Sequence, residues 1–507
     1  MTLPAWLDPL FEAGEMRAVD AWAIEEQGVP SLDLMERAGA GLARVAAAVA
    51  RPGPVRVVIG KGNNGGDGLV AARMLRGDGQ TVDVLAAAPP EELRGDARVN
   101  LERLPGAPPE AFAPERLEGS GAVIDALLGT GFEGSPREPL RSAIVAMNAQ
   151  EGPTVACDVP SGVNASSGEV EGEAVHAVAT ATFHASKLGL HVEPGKSHAG
   201  RVEVVEIGIP RGAPGAAAGG LISERVLGLY PRRPRSGSKF TSGVVVVAGG
   251  SLGLTGAPTM AARSAQRAGA GYVQVAVPGP VQPAVDLRLL EQMSRGLPDE
   301  DGFHTPAGVD AVRAMAARAG AVVLGPGIGR AESAVEFARG LAEAVDVPLL
   351  VDADGLNAHA GQLERFSRRG APTVLTPHEG ELGRLLEIDS EEVAAHRLVR
   401  AREAAELSGA VVLLKGDDTI VAAPGGPVAV SPAGTPALAT AGTGDVLSGL
   451  IGALLAKGVE AFAAAALGAL AHGLAGRAAG ERLGVDHVMA GDVIDALPQG
   501  LTRRPLR

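Results

Sequence analysis

Three aspartates, Asp67, Asp125 and Asp158, stand at or just past the ends of apolar runs in the first two hundred residues. Val55–Ile59 runs into Gly60-Lys-Gly-Asn63-Asn64-Gly65-Gly66-Asp67-Gly68, and Val123-Ile-Asp125-Ala126 leads to Gly129-Thr130-Gly131-Phe132-Glu133-Gly134-Ser135. Val155-Ala-Cys157-Asp158 is followed by Val-Pro-Ser161-Gly162. A glycine loop between strand and helix leaves backbone N–H groups facing a ligand and favours phosphate or other anions. Asn64, Asp125 and the Ser161 hydroxyl are hard oxygen donors suited to a monovalent or divalent cation, and capping of the following loops is the plainer role open to Asp125 and Ser161. A second set lies further along the chain. Gly442-Thr-Gly444-Asp445 opens the apolar run Val446–Leu455, which puts N–H groups at a helix start and a carboxylate where a base can meet a hydroxyl. Val411–Leu414 ends in Lys415-Gly416-Asp417-Asp418-Thr419, a polar loop suited to nucleotide phosphates, while Thr376-Pro-His378-Glu-Gly-Glu381 and Gly325-Pro-Gly327-Ile-Gly329 follow other apolar runs.

Loops of this kind are positioned by parallel strands with crossover helices, and the chain alternates accordingly. Strands are expected at Val55–Ile59, Thr81–Leu85, Ala122–Ala126, Thr154–Asp158, Thr180–Phe183 and Val202–Ile207, with a helix over Ser31–Ala50 capped by Ser31. Downstream the runs Val244–Val247, Tyr272–Val277, Val322–Leu324, Leu349–Val351, Thr373–Leu375, Val411–Leu414 and Thr419–Ala422 predict a second α/β sheet. Helices are expected over Pro258–Ala268, Ser333–Ala344, Glu391–Leu407, Asp445–Lys457 and Ala461–Gly480. Gly212–Gly220 contains only Gly, Ala and Pro and has no side-chain face to bury, so it reads as a linker between domains 1–211 and 221–507. No short period repeats and the halves share no motif, which points to fusion rather than duplication.

The 507 residues hold enough apolar sequence for two or three cores, which excludes a single small binding module. Glycine is abundant, 71 residues, and aromatics are only 3%, so the cores must be built from Ala, Val and Leu. A net charge of −14 argues against nucleic-acid or anionic-membrane partners, which call for excess Lys and Arg. Met1–Met16 lacks the basic and apolar regions of a secretory signal, and a lone cysteine, Cys157, suits the cytoplasm. The uncharged run Thr241–Ala262 is long enough to cross a bilayer, but its glycines and Pro258 read better as strand, loop and helix. Cys157 precedes Asp158 on a buried strand, and alternation turns its thiol the other way.

With these residues in place, nearly all of residues 10–210 resembles the NAD(P)H-hydrate epimerase domain through GKGNNGGDGLVAAR, LMERAG, DALLGTG, DVPSGV and TFHASKLGL. The resemblance implies a Rossmann-like three-layer fold. It implies substrate contacts from Asn63, Asn64, Gly65, Gly66 and Asp67, from Gly129 through Ser135, and from Asp158, with potassium held by Asn64, Asp125 and Ser161. The domain would interconvert the R and S hydrates at nicotinamide C6. A carboxylate in a polar pocket is a reasonable proton shuttle at that carbon, and Asp158 is assigned the role, Lys187 being either its polar partner or a solvated lysine.

Residues 222–500 resemble the ADP- or ATP-dependent NAD(P)H-hydrate dehydratases of the ribokinase-like superfamily through AGGSLGLTGAPTMAARSAQRAGAGYV, GPGIG, DADGLN, TPHEGE, KGDDT and GTGDVLSG. That resemblance implies that Ala257, Gly327, His378 and Asp445 contact the S hydrate, that Lys415 through Thr419 with Gly444 hold the adenine nucleotide, and that Mg²⁺ lies near Glu381. Asp445 would be the base on the substrate hydroxyl, ADP or ATP the co-substrate. Ser238-Lys239-Phe240 departs from a His-Lys pair common in that family. The competing expectation is a vitamin-type small-molecule kinase joined to a non-catalytic ligand-binding domain. A homo-oligomer is expected, with the N-terminal helices or the Ala-rich 461–480 face as contacts.

Overall fold

Parallel pairing of short β-branched runs dominates the computed structural model, which describes residues 3–213, 217–233 and 235–502. Two compact units emerge: Pro9–Gly220, and Leu221 onward joined by Pro4–Asp8. Both are mixed α/β, as the alternation predicts.

The first unit carries a seven-stranded sheet in the order Glu110–Ala111, Val82–Ala86, Val55–Ile59, Ala122–Ala126, Thr154–Cys157, Ala179–Phe183 and Arg201–Val205. Every pair is parallel. The chain moves outward from Val55–Ile59 in one direction, then restarts on its other side with Ala122–Ala126, and the sheet edge opens a crevice at that switch. The helix Ser31–Val49 lies against the helix Asn63–Gly77. Their approach is close: a Cβ at Gly39 would meet Val70 at 2.4 Å, and one at Gly66 would meet the Met35 sulfur at 2.6 Å. The helix begins at Asn63, so the glycine motif forms the start of the helix and not a loop ahead of it.

The second unit holds an eleven-stranded sheet. Its order is Leu7–Leu10, Gly219–Ile222, Val428–Val430, Ile420–Ala422, Val411–Leu414, Thr373–Leu375, Leu349–Val351, Ala321–Leu324, Val244–Ala248, Tyr272–Pro278 and Met293–Leu297. Strands from Val411–Leu414 to Met293–Leu297 are parallel, while Val411–Leu414, Ile420–Ala422 and Val428–Val430 run antiparallel. The switch lies between Val244–Ala248 and Ala321–Leu324. The run Thr241–Ala262 resolves into the strand Val244–Ala248 and the start of the helix Gly256–Arg267. No helix among the described residues is long and apolar enough to cross a membrane.

Four expectations need correcting. Residues 214–216 of the linker lie outside the described residues, but Ala217 is buried and Gly219–Ile222 is a strand. Backbone pairing needs no side chain, so a Gly/Ala run can take part in a sheet. The expected helix Glu391–Leu407 is two helices, Ser390–Ala395 and Arg397–Ser408, because His396 leaves helical geometry at φ −128° and ψ 40°. The Ala-rich helix Ala461–Leu483 is not an oligomer face, since nearly all of its first half is buried inside the unit. Its small residues admit close neighbours: a Cβ at Gly468 would meet Ile451 at 2.4 Å and one at Gly473 would meet the Ala433 carbonyl at 2.4 Å.

The fourth concerns the first domain, expected over 1–211: Pro4–Asp8 completes the second unit instead. The Trp6 carbonyl accepts from the Ser223 N–H at 3.1 Å and its hydroxyl at 2.8 Å, Arg225 reaches the Leu7 carbonyl and Asp8, and the Trp6 ring packs on Phe462. Trp6→Ala should therefore destabilise the second unit by about 3 to 5 kcal/mol, the usual cost of emptying a buried aromatic site. Hydrogen exchange should quicken in Gly219–Ile222 and Val428–Val430 before it changes in Val55–Ile59, and equal acceleration in both sheets would contradict the assignment.

Candidate active sites

At the switch of the first sheet three strand ends are tied together by one asparagine. Asn64 donates through Nδ2 to the Leu128 carbonyl at 2.9 Å and the Cys157 carbonyl at 2.8 Å. Neighbouring backbones are so close that a Cβ at Gly60 would lie 2.1 Å from the Leu127 carbonyl and one at Gly129 would lie 2.3 Å from Asn64 Oδ1. Asp125 is fully buried and accepts from the Ser161 N–H at 2.8 Å, the Ser161 hydroxyl at 2.6 Å and the Leu127 N–H at 3.3 Å. Burial pushes its pKa up to about 6 against those hydrogen bonds. The structure thus joins Ser161 to a buried carboxyl whose partners are all neutral, and brings Asn64 and Ser161 together on the Leu128 backbone.

Asp158 follows the next strand with a φ of 65°, a conformation L side chains rarely adopt. That turn breaks strand alternation and swings the carboxylate into the crevice. Its Oδ1 takes Lys187 Nζ at 2.5 Å, the Thr182 hydroxyl at 3.2 Å and the Phe183 N–H at 3.2 Å, and Thr130 donates to Oδ2. Lys187 is not solvated: it is 1% exposed and donates also to the Thr182 hydroxyl and the Phe183 carbonyl. Burial alone would raise the Asp158 pKa, but the Lys187 ammonium and the hydrogen bonds outweigh it, and the carboxyl sits below its ordinary value. Asp158 is therefore ionised throughout the neutral range.

These groups face a cavity of about 1140 Å³ lined by Asn63, Asn64, Asp67, Gly129 through Glu133, Asp158 and Lys187. Gly65, Gly66, Gly134 and Ser135, expected to contact substrate, are not in its wall. A Cβ at Gly65 would meet the Gly60 carbonyl at 2.1 Å, so this glycine serves close packing. Asp67 is buried with its pKa well above normal, through burial first and then Asp158 and Asp20. Cys157 Sγ lies 3.9 Å from Asp67 Oδ2, and burial with nearby carboxyls keeps it a thiol.

Sequence reasoning missed Asp20, Arg17 and Arg137, which also line the cavity. Asp20 has a pKa of about 6, raised chiefly by burial, partly offset by Lys187 and raised again by Asp158. A signal was present: on the helix Ala13–Ala21, Ala13, Met16 and Val19 are core positions, and Asp20 stands one turn beyond Met16 as an acid on an apolar face.

The second unit gathers its chemistry around Lys415. The ammonium lies 2.9 Å from Asp352 Oδ1 and 3.4 Å from Glu381 Oε2, and Ser448 donates to Asp352 Oδ2 at 2.6 Å. Burial would lower the Lys415 pKa, but Asp352 and Glu381 raise it. Asp445, in the first turn of the helix Thr443–Ala456, has its pKa raised to about 7, by burial first and then by Asp352, with Lys415 opposing. A carboxyl poised there is matched to general-base work near neutrality. A Cβ at Gly327 would lie 3.2 Å from that of Ala257, so the structure sets these two side by side at the switch. His378 caps the helix Glu379–Leu386: its Nδ1 accepts from the Gly380 N–H, and Glu381 Oε2 accepts from the His378 N–H at 2.9 Å.

A second cavity of about 460 Å³ is lined by Lys415, Gly416, Asp417, Thr419, Thr443 and Gly444 among others. Asp418 does not join it, because its carboxylate is committed to Arg397 at 2.7 Å, both groups being buried. Glu381 is likewise occupied as cap and ion-pair partner. Among the described residues no group of three or more His, Cys, Asp or Glu is arranged to hold a metal. Lys239 lies over the Tyr272 ring, 4.9 Å from its centroid.

Residues 245–499 match the family model described as NAD(P)H-hydrate dehydratase, and residues 31–189 match the one described as YjeF-related protein N-terminus. The chain is 43% identical to the bifunctional NAD(P)H-hydrate repair enzyme Nnr of Salinibacter ruber, covering 98% of this chain and 96% of that one. The chain belongs to the bifunctional NAD(P)H-hydrate repair enzymes. The Nnr of Moorella thermoacetica is 41% identical with 96% of both chains covered. A solved structure of the ADP/ATP-dependent NAD(P)H-hydrate dehydratase of Bacillus subtilis, co-crystallised with ATP and Mg²⁺, is 28% identical over 55% of this chain and 95% of that one, with a TM-score of 0.48. Family membership across both halves sets aside the reading of a vitamin-type kinase fused to a non-catalytic domain.

For this repair enzyme the raised Asp20 pKa has a stability consequence. An unfolded aspartate ionises near 3.8 and folded Asp20 near 6, so folding carries a cost that grows as pH rises through that window and persists above it. Asp20→Asn should raise the melting temperature of the first unit at pH 8 and leave it unchanged at pH 3.5. A rise of equal size at both pH values would show that Asp20 is not held protonated by its surroundings.

Proposed function

We propose that the first unit equilibrates the R and S hydrates of NADH and NADPH, and that the second returns the S hydrate to the dinucleotide at the expense of ADP, releasing AMP and phosphate. The observation that carries this reading is Asp445: a carboxyl poised near neutrality, beside the cavity wall formed by Gly444 and Lys415, at a helix N-terminus.

In the second unit Asp445 takes the proton from the C6 hydroxyl, whose oxygen attacks the terminal phosphorus of ADP while AMP departs with the bridging electron pair. Lys415, with the backbone N–H groups at the helix start, faces the charge that develops on phosphate. The ring nitrogen lone pair then expels phosphate from C6, and loss of a proton from C5 restores the dihydronicotinamide. Ala257, Gly327 and His378 hold the hydrate, and Lys415, Gly416, Asp417, Thr419 and Gly444 hold the nucleotide. Mg²⁺, when it accompanies the nucleotide, is carried mainly by phosphate oxygens, as that ion prefers.

In the first unit the hydrate carries its hydroxyl on a carbon bonded to nitrogen. Protonation lets it leave as water, and return of water to the opposite face of the iminium carbon inverts the centre. Asp20, with its pKa of about 6, suits the proton donor, and Asp158, always ionised, suits stabilisation of the cation with Lys187 as its positioning partner. Arg17 and Arg137 supply positive charge for the dinucleotide phosphates. Potassium bound by Asn64, Asp125 and Ser161 would supply fixed positive charge beneath the Gly129–Glu133 loop. A cytoplasmic homo-oligomer belongs to the same reading, supported by Leu287 and Leu290, 88% and 90% exposed.

Asp445→Asn should lower dehydration of the S hydrate by about 10² to 10⁴ while epimerisation persists. In the wild type, kcat/KM for dehydration should fall below about pH 7 as Asp445 takes a proton. Near-normal turnover in the variant, or a stable phosphoester in place of free phosphate, would sink the assignment.

For the cation, K⁺ should raise the melting temperature of the first unit, because a ligand bound only by the folded state stabilises it. Asp125→Asn should abolish that rise. A wild type indifferent to K⁺ against a large organic cation would remove the potassium site from this reading.

A further inference from the structure

The smaller cavity contains a buried polar atom that the catalytic reading leaves unused. His472 lies on the helix Ala461–Leu483, is 7% exposed, and lines the cavity together with Ala469 and Gly473 from the same helix. Burial pushes its pKa down to about 4, so the ring is neutral at physiological pH. It makes a hydrogen bond to the Thr443 backbone of a kind that favours the protonated ring, which is a bond donated to a carbonyl. Nε2 has no partner. A neutral imidazole has one N–H, and if Nδ1 donates it to Thr443, Nε2 is left as a lone-pair acceptor buried without a donor. Such an atom costs stability unless something brings it a hydrogen.

The rest of the wall divides into two kinds. Lys415, Gly416, Asp417, Thr419, Thr443 and Gly444 supply polar groups suited to phosphates, and Pro436, Leu438, Ala439, Leu447 and Ala469 supply apolar surface suited to a flat ring. A Cβ at Gly473 would meet the Ala433 carbonyl at 2.4 Å, so backbone closes in beside His472 and leaves no room for a bulkier neighbour. The size, about 460 Å³, suits a mononucleotide.

We infer that His472 selects the base of the nucleotide, Nε2 accepting a hydrogen bond from the exocyclic amino group of adenine. Guanine and hypoxanthine present a carbonyl oxygen at that position and would set two lone pairs against each other. His472 is thus a specificity-determining residue for the phosphate donor, and the assignment rests on the reading of this cavity as the nucleotide site.

Binding of ADP, IDP, purine riboside diphosphate and 2′-deoxy-ADP to the full-length chain can be measured by calorimetry, which needs no turnover. The wild type should prefer ADP over IDP and over purine riboside diphosphate by about tenfold or more, the worth of a hydrogen bond made in a buried site. In His472→Leu the three affinities should converge, whereas a merely structural role would weaken all of them equally and keep the ratios. Equal wild-type affinity for ADP and purine riboside diphosphate would overturn the inference without recourse to the variant, and so would a preserved ratio in the folded variant. Discrimination against 2′-deoxy-ADP that disappears with His472, while the ADP to IDP ratio stays, would overturn it by moving the contact to the ribose. Absence of any nucleotide binding by the wild type would overturn the cavity reading itself, an outcome distinct from binding without base preference.

Discussion

Parallel pairing is the constraint from which both sites follow. Strands that run the same way deliver all their C-terminal ends to one edge, and the chain must reverse its direction of growth somewhere along that edge. In the first unit the reversal falls between Val55–Ile59 and Ala122–Ala126, and in the second between Val244–Ala248 and Ala321–Leu324. At both places the backbones that diverge come close enough to exclude a side chain: Gly60 against Leu127 in one, Gly249 against the Pro326 carbonyl at 2.4 Å in the other. The glycines are therefore a consequence of where the crevice opens as much as a device for gripping phosphate.

Placing acids at such an edge buries them, and the two units resolve that cost differently. In the first, Lys187 is sunk beside Asp158 and keeps it charged, while Asp20 and Asp67 are left without a cation of their own and hold their protons more tightly. In the second, Lys415 is shared by Asp352 and Glu381, and Asp445 bears the residual repulsion. Beside each lysine one carboxyl, Asp20 at about 6 and Asp445 at about 7, is left to exchange protons near neutrality, as acid–base chemistry requires.

The fold class was legible because β-branched runs and glycine turns repeat with little ambiguity, and the ligand loops could be placed at strand ends from the same pattern. What escaped was set by distant partners. Asp20 shares a short helix with Ala13, Met16 and Val19, whose spacing marks an apolar face only once the helix itself is recognised. The pairing of Lys187 depends on Asp158, 29 residues earlier, and the diversion of Asp418 depends on Arg397, 21 residues earlier. Gly65 and Gly66 looked like ligand contacts because a glycine motif does not reveal whether its open side faces a ligand or Gly60 and Met35. The edge strand Leu7–Leu10 is too short to carry a periodic signal, and its partner Gly219–Ile222 begins in a run whose composition speaks for a linker.

That edge strand sets an order of events during synthesis. Leu7–Leu10 is made more than two hundred residues before its neighbour Gly219–Ile222, and the strand that ties this pair to the rest of the sheet, Val428–Val430, comes later still. Trp6 and Leu7, both buried in the finished protein, keep their apolar surfaces uncovered until those strands exist. The nascent chain therefore offers a sticky segment for as long as the sheet that receives it is unmade, and a cell making much of this protein would rely on chaperones there.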